Sequence, residues 1–386
     1  MTERLYLPDP YLRSFRARVT EARELDGKPA AVLDRSAFYP EGGGQPGDRG
    51  TLGDAAVLDT REHDGAVLHL LDRPLQPGSE VEGAIDWARR LDHMQQHHGQ
   101  HLLSAAFERA GAATVSFHLG ETACTIDLDV SISKLDAAAL RKAEAATNEA
   151  IWRNLAVTAK SFSAEERAGL ALRKEPVKGD RVVVVEGVDA SPCGGTHPAR
   201  TGDVGAVAIL KAHRWGQGQA RIEFICGGRI VQRLLAAEAA IAQASETLKC
   251  AAPDLAEAVK RTAADSQARR KAVEALLHEL AGHEAKRLGA GPGPVVAKVE
   301  RGMSMARAVA AALSDQGKVA LIASVDEGRA HLCFARPKGE GAAMNELLKE
   351  ALVLLSGKGG GSKDFAQGSG EPARLDEALA LARARL

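Results

Sequence analysis

The sequence predicts an α+β multidomain protein: a small N-terminal β-barrel, an α/β two-layer domain, a helical linker and a C-terminal α/β module. Three observations predict it. Residues 1–90 carry short apolar runs separated by Gly, Pro and Asp clusters, the punctuation of strands and turns. From Trp87 the pattern becomes helical, and helices then mix with strands as far as Cys226. Residues 229–288 are almost pure Ala, Leu, Glu, Lys and Arg, and Gly289-Ala-Gly-Pro-Gly-Pro294 ends that run. The expected domains are therefore 1–90, 91–228, 229–288 and 289–386, in keeping with a length too great for one ordinary core.

Taken in order, Ala30–Leu33 and Ala66–Leu70 read as strands of the barrel or sandwich, and Phe38–Gly50 as its most unusual loop. A helix is expected from Trp87 to about Ala110, a strand over Cys124–Val130, a helix over Leu135–Asn154 and a strand over Leu155–Phe162. Ser163 and Glu166 have the spacing of a capping box, which starts a short helix. Arg181–Val188 reads as one strand, and Val204–Lys211 with Ala220–Cys226 as a hairpin around Trp215-Gly-Gln-Gly. The 229–288 run, broken at Ala251-Ala-Pro-Asp254, reads as a helical hairpin or short coiled coil. Beyond it come a strand near Val295, a helix at Ser304–Leu313, strands at Val319–Ser324 and His331–Ala335, and a helix at Ala343–Leu355. A glycine-rich loop at 357–370 and a last helix close the chain.

Composition narrows the class without choosing a function. With 45% hydrophobic and 26% charged residues the chain has the make-up of a soluble globular protein. No apolar run reaches the ~18 residues of a membrane span, so no membrane partner is expected. The first residues, MTERLYLPDPYLRSF, hold charges and prolines where a signal peptide needs an apolar stretch, so a cytoplasmic location is expected. Five scattered cysteines make no disulfide framework. A net charge of -1 neither supports nor excludes nucleic acid, because gripping part of such a polymer needs only a local basic patch.

The strongest chemistry lies in two separated pieces. His97 and His101 stand four residues apart in an expected helix, so both imidazoles project from one face. Cys193-Gly-Gly-Thr-His197 places a thiol and an imidazole on a loop that two glycines let curl tightly. Three imidazoles and one thiolate suit zinc, one ion per chain. Four protein donors are the usual mark of a closed structural site, so a catalytic role requires one ligand, with His197 the candidate, to be displaced or weakly engaged. His93 extends the same helical stripe and is expected to be a supporting or ordinary partly buried residue. His98 is expected to point elsewhere on the helix.

These residues carry a resemblance. MQQHHGQHLLSAAF and CGGTH resemble the signature of the editing domain shared by alanyl- and threonyl-tRNA synthetases. FYPEGGGQPGDRG resembles the glycine-rich motif of alanyl-type editing proteins, and SFHLGETACTIDL the pattern of their AlaX branch. GKGGGSKDFAQGSG is similar to the C-terminal DHH-associated domain of alanyl-tRNA synthetases and long AlaX proteins. The resemblance implies zinc ligands at His97, His101, Cys193 and His197. Where the family often has Thr after the first ligand, this chain has His98. The chain begins at the barrel with no class II aminoacylation core before it, so editing without charging is expected.

The implied substrate is an ester of Ser or Gly on the terminal ribose of alanine tRNA, and the implied role is translation fidelity. Hydrolysis needs a placed water and donors for the developing oxyanion. The amides of Gly194 and Gly195 are candidates, with Thr196 beside them. Gly43, Gly44 and Gln45 are candidates to approach the terminal adenosine or aminoacyl group, Gln45 as the polar contact. Accepting serine over alanine requires a polar group for the extra hydroxyl, and Thr114, Ser116 and His118 are the candidates. Lys358, Gly359, Gly360 and Lys363 are candidates to hold a tRNA phosphate. They are not a P-loop, since Gly357-Lys358 is followed by Gly359. A homodimer through 229–288 or the C-terminal domain is the other expected partnership. Two rival readings are a non-catalytic tRNA-binding protein with structural zinc, and a phosphodiesterase, for which the Asp-His-His triplet is lacking.

Overall fold

The computed structural model describes residues 2–175, 179–339 and 341–386. Its fold is mixed α+β, with several separate sheets. It divides into two compact units, Met1–Ile241 and Ala242–Leu386.

The first unit opens with a short parallel pairing of β1 (Glu3–Arg4) with β4 (Arg35–Ser36). β2 (Ser14–Leu25), β3 (Lys28–Leu33), β5 (Gly50–Leu52), β6 (Ala55–His63), β7 (Ala66–Leu71) and β8 (Glu80–Ile85) close a barrel in the order β2-β3-β7-β6-β5-β8. β2 shows why: Phe15, Ala17 and Val19 are buried and alternate with exposed neighbours, the period of a strand with one dry face. They meet Leu33, Phe38, Leu52, Val57, Leu71 and Ile85 inside.

Asp86 caps α1 (Trp87–Arg109) by accepting from the Arg89 amide. A four-stranded antiparallel sheet follows, ordered β14-β15-β10-β9, from β9 (Thr114–Leu119), β10 (Cys124–Leu128), β14 (Val207–Trp215) and β15 (Gln219–Cys226). α1 and α2 (Ala137–Trp152) cover it through Leu102, Leu103, Phe107, Ala143 and Ile151 against Ile126, Ile222 and Phe224. Gly99 permits the close approach, since a Cβ there would sit 2.3 Å from the Cys226 sulfur. A second sheet joins β11 (Val157–Ser161), β12 (Arg181–Val185) and β13 (Asp189–Pro192). Between β11 and β12, α3 (Ala164–Ala168) starts on the Ser163–Glu166 capping box read from sequence. The strand expected over Arg181–Val188 ends earlier, at Val185 of β12; a turn with Gly187 at φ +68° follows and leads into β13. That reversal carries Cys193 into position. α4 (Gly228–Leu248) leaves this unit.

The second unit contains α5 (Leu255–Leu288), β16 (Val295–Lys298), α6 (Gly302–Asp315), β17 (Ala320–Asp326), β18 (Arg329–Ala335), α7 (Met344–Leu354), β19 (Lys358–Gly361), β20 (Phe365–Gly370) and α8 (Leu375–Ala384). Five strands form one sheet, β16-β17-β18-β20-β19. Alternate residues of β17 serve its two faces: Ala320 and Ile322 pack with α5 and α6, Leu321 and Ala323 with α7 and α8.

The glycine-rich loop expected at 357–370 is a β-hairpin, β19 against β20. Glycine is a poor strand former, yet here it is needed because α7 lies almost on the backbone. A Cβ at Gly368 would meet Leu352 at 2.5 Å and the Gly359 Cα at 3.0 Å. Gly368→Val should therefore cost about 1–3 kcal/mol by overpacking. Urea unfolding of the second unit's transition checks this, and Gly360→Val, with open space around it, is the control.

Candidate metal centre

α1 is unusual in burying polar residues around much of its circumference: His93, Gln96, His97, His98, Gln100, His101 and Ser104. Buried polar groups require partners, and tracing those partners builds the site. Gln96 spans to the sheet, its carbonyl accepting from the Cys226 amide at 2.8 Å and its amide donating to the Cys226 carbonyl at 3.0 Å. Arg90, fully buried, donates to both Asp48 oxygens and to the carbonyls of Pro10 and Ala37, which locks α1 to the barrel.

About two turns on from Arg90, His97 and His101 face the loop that follows β13. The donor atoms of His97, His101, Cys193 and His197 all lie within 4.8 Å of one another, space for a single ion. His97 Nε2 is 3.3 Å and His197 Nε2 3.2 Å from Cys193 Sγ. The outward nitrogens are engaged elsewhere. His97 Nδ1 meets Gln45 Oε1 at 2.7 Å, His101 Nδ1 meets Asp189 Oδ2 at 3.2 Å, and His197 Nδ1 meets His98 Nδ1 at 3.0 Å. Each imidazole thus has an outer partner that orients it, the arrangement found around metal-bound histidines.

Electrostatics agree with a cation-holding group. Burial alone would raise the Cys193 thiol. The imidazoles of His97 and His197, with hydrogen bonds from His101 and His197, instead hold it well below the ordinary thiol value. His101 is raised to about 9: burial opposes its charge, but the Asp189 carboxylate and the Cys193 sulfur outweigh it. Asp189 is itself held below the usual carboxylate range, against the effect of burial, by His101 and Arg173. Burial pushes His197 down to about 3, so it stays neutral. A thiolate and a carboxylate set the potential of this pocket, and a soft dication suits it.

The CGGTH loop owes its shape to its glycines and to Arg181, whose Nη1 donates to the Cys193 carbonyl at 2.7 Å and the Gly195 carbonyl at 2.9 Å. A Cβ at Gly195 would stand 2.2 Å from His97 Cε1 and 2.9 Å from Gln45 Oε1, whereas one at Gly194 would have nothing within 4 Å. Gly195→Ala should therefore displace His97 and weaken zinc binding by at least about 10-fold, with Gly194→Ala close to wild type. Chelator competition measures both; equal affinities would contradict this packing. The amides also differ. Gly195 N–H donates to Cys193 Sγ at 3.4 Å and Thr196 N–H to Gln45 Oε1 at 3.1 Å. Gly194 N–H has no protein partner among the described residues.

The remaining sequence candidates are placed as follows. Gly43 and Gly44 form a tight turn with φ +54° and +79°, and Gly44 packs against the Phe117 ring. Gln45 is fully buried, and its amide nitrogen donates to Thr196 Oγ1 at 2.7 Å. Both ends of that amide are thus committed to the metal group's surroundings. Thr114 donates to Ser104 Oγ at 2.8 Å, which also receives Gln100 Nε2. Ser116 and His118 pair with Asp127 and Thr125, and so sit on the sheet face opposite Phe117, which neighbours His97. Lys358, Gly359 and Gly360 lie exposed on β19, and Lys363 in the turn before β20. His93 is more fully buried than expected, at 3% exposure. His98 does not point elsewhere: one position round from His97, it reaches the flank of His197. Asp189, Arg173 and Arg181 were not found by sequence reasoning, because nothing local distinguishes them from other surface-type charges.

Fold and donor set define an α+β protein class with a buried His3Cys group able to hold a thiophilic metal ion. Three family models match along the chain: tRNA synthetases class II (A) over 13–89, the threonyl and alanyl tRNA synthetase second additional domain over 181–223, and the DHHA1 domain over 294–386. The chain is 35% identical to alanyl-tRNA editing protein Aarsd1 of Rattus norvegicus over 68% of this chain and 64% of that protein. It is 34% identical to Aarsd1 of Bos taurus over 74% and 68%, and 35% identical to AlaX-L of Pyrococcus horikoshii over 61% and 60%. The chain therefore belongs to the alanyl-tRNA editing protein family, and its match spans just under two thirds of the rat relative.

Proposed function

We propose that the protein is a zinc-dependent deacylase that hydrolyses seryl or glycyl esters from mischarged alanine tRNA without charging tRNA itself. The observation that carries this is the convergence of His97, His101, Cys193 and His197, each imidazole oriented by its own partner, in a chain similar to proteins named for alanyl-tRNA editing. These four residues would hold one zinc, which when bound supplies Lewis-acid charge beside the ester.

The chain's own residues do the rest. Water adds to the ester carbonyl, charge gathers on its oxygen, and the ribose hydroxyl leaves with a proton. Gly194 N–H, which has no protein partner among the described residues, is the donor for that oxygen. Gly195 and Thr196 spend their amides on holding the loop, so their part is to aim Gly194. Gly43 and Gly44 bring the barrel turn, with Gln45, against the same loop. Of the hydroxyl-selecting candidates, Thr114 alone joins the buried network of α1, through Ser104 and Gln100.

The proposed division of labour places the barrel at 1–90, the zinc-containing editing domain at 91–228, a helical linker at 229–288 and a DHH-associated domain at 289–386. Lys358, Gly359, Gly360 and Lys363 would meet tRNA phosphate. Self-association would use 229–288 or the C-terminal domain, and the cytoplasm, where tRNA is charged, would be the place of action. Among the described residues no helix is long and apolar enough to cross a membrane. A saturated four-donor set also fits a structural zinc in a non-catalytic tRNA-binding protein. Chelator treatment separates the two. Loss of seryl-tRNA hydrolysis on verified removal of zinc, with recovery on reloading, is expected; unchanged hydrolysis by metal-free, folded protein would exclude zinc dependence.

A further inference from the structure

His98 is fully buried, with Nδ1 3.0 Å from Nδ1 of His197. His197 turns its Nε2 toward Cys193 Sγ at 3.2 Å, so Nε2 is the nitrogen offered to a metal, and a ligating nitrogen carries no proton. The proton of neutral His197 then sits on Nδ1. Only an acceptor can face it across 3.0 Å, and among the described residues the one atom that does so is His98 Nδ1. We infer that His98 is the positioning residue of His197: its Nδ1 accepts the His197 Nδ1–H, and its own proton resides on Nε2.

This inference rests on the reading of the four residues as metal ligands. It assigns to this chain a third outer partner beside Gln45 for His97 and Asp189 for His101. Those two partners are oxygen acceptors; this one is a second imidazole, acting through its acceptor nitrogen. Helix geometry explains the choice. Successive residues turn about 100° around the axis, so position 98 lies to the side of His97 and His101. The His98 ring centroid stands 5.2 Å from that of His197, nearly perpendicular to it. A side chain that reaches His197 from there must place its acceptor two bonds beyond Cβ. Thr, whose hydroxyl is one bond out, falls short. The arrangement leaves His98 Nε2 buried without a partner among the described residues. That sacrifice is expected only where the Nδ1 contact matters more.

Zinc affinity, measured by competition with a chromophoric chelator, tests the assignment without reference to catalysis. His98→Ala should bind zinc about 10–100-fold more weakly than wild type. His98→Asn, whose Oδ1 lies as many bonds from Cβ as the lost Nδ1, should recover most of that. Wild-type affinity in His98→Ala would overturn the inference, as would His98→Asn matching the weakness of His98→Ala while both keep the wild-type melting temperature. Long-range 1H–15N spectra of the zinc-loaded wild type need no variant. They should show His98 protonated on Nε2 and His197 on Nδ1, and a proton on His98 Nδ1 would overturn the inference. Failure of the wild type to take up zinc would instead remove the metal reading itself.

Discussion

Replacing Cys193 with alanine should lower both zinc affinity and deacylation by more than about 10³-fold, since even outer partners of metal ligands are worth ~10–100-fold. Cys193 is the single anionic donor of the group, and its sulfur is the atom that the nitrogens of His97 and His197 and the Gly195 amide all approach. Removing it takes away the one anionic donor and leaves three imidazoles in a site shaped for four ligands, which hold the ion more weakly. The fold should survive, because the loop is also held by the bonds from Arg181 to the Cys193 and Gly195 carbonyls, which alanine retains. Metal content by atomic absorption, single-turnover hydrolysis and circular dichroism read the three parts separately. Full metal content with full activity would contradict the ligand assignment.

The second large effect is on stability. Arg90→Met should destabilise the first unit by about 3–5 kcal/mol, the range for breaking one partner out of a buried ion pair. Arg90 and Asp48 are both shielded from solvent, and the guanidinium also satisfies the Pro10 and Ala37 carbonyls. Its loss strands a carboxylate and two carbonyls in a dry interior. Denaturant unfolding gives the value. The double variant Arg90→Met with Asp48→Leu should recover part of it, because no uncompensated charge then remains. A loss below about 1 kcal/mol, the size of an exposed pair, would mean that the pair does not tie α1 to the barrel.

Most of the element order was legible because it is local. The period of Trp87–Arg109, the capping box at Ser163 and the Trp215 hairpin all speak within a few residues of themselves. The four metal-facing residues were legible for the same reason: i,i+4 on a helix and two glycines between Cys193 and Thr196 are short-range geometry. What failed was set by distant parts of the chain. Gly357–Gly370 reads as a loop until Leu352 is seen lying on it. For Gln45 the sequence offers only a candidate polar contact; its bonds to His97 and Thr196, 52 and 151 residues away, were not legible. Asp189 and His98 acquire roles only when β13 and α1 meet. In the glycine-rich motif three residues serve three different partners: Asp48 serves Arg90, Gln45 the CGGTH loop, and Gly44 Phe117. Only the folded chain separates these roles.

The most direct measurement is deacylation of Ser-, Gly- and Ala-tRNA, all on the alanine tRNA, by the zinc-loaded protein. Rapid loss of the seryl or glycyl ester with the alanyl ester spared is the expected result. Stability of all three esters, with the tRNA still bound, would contradict it and leave a tRNA-binding protein built around a structural metal.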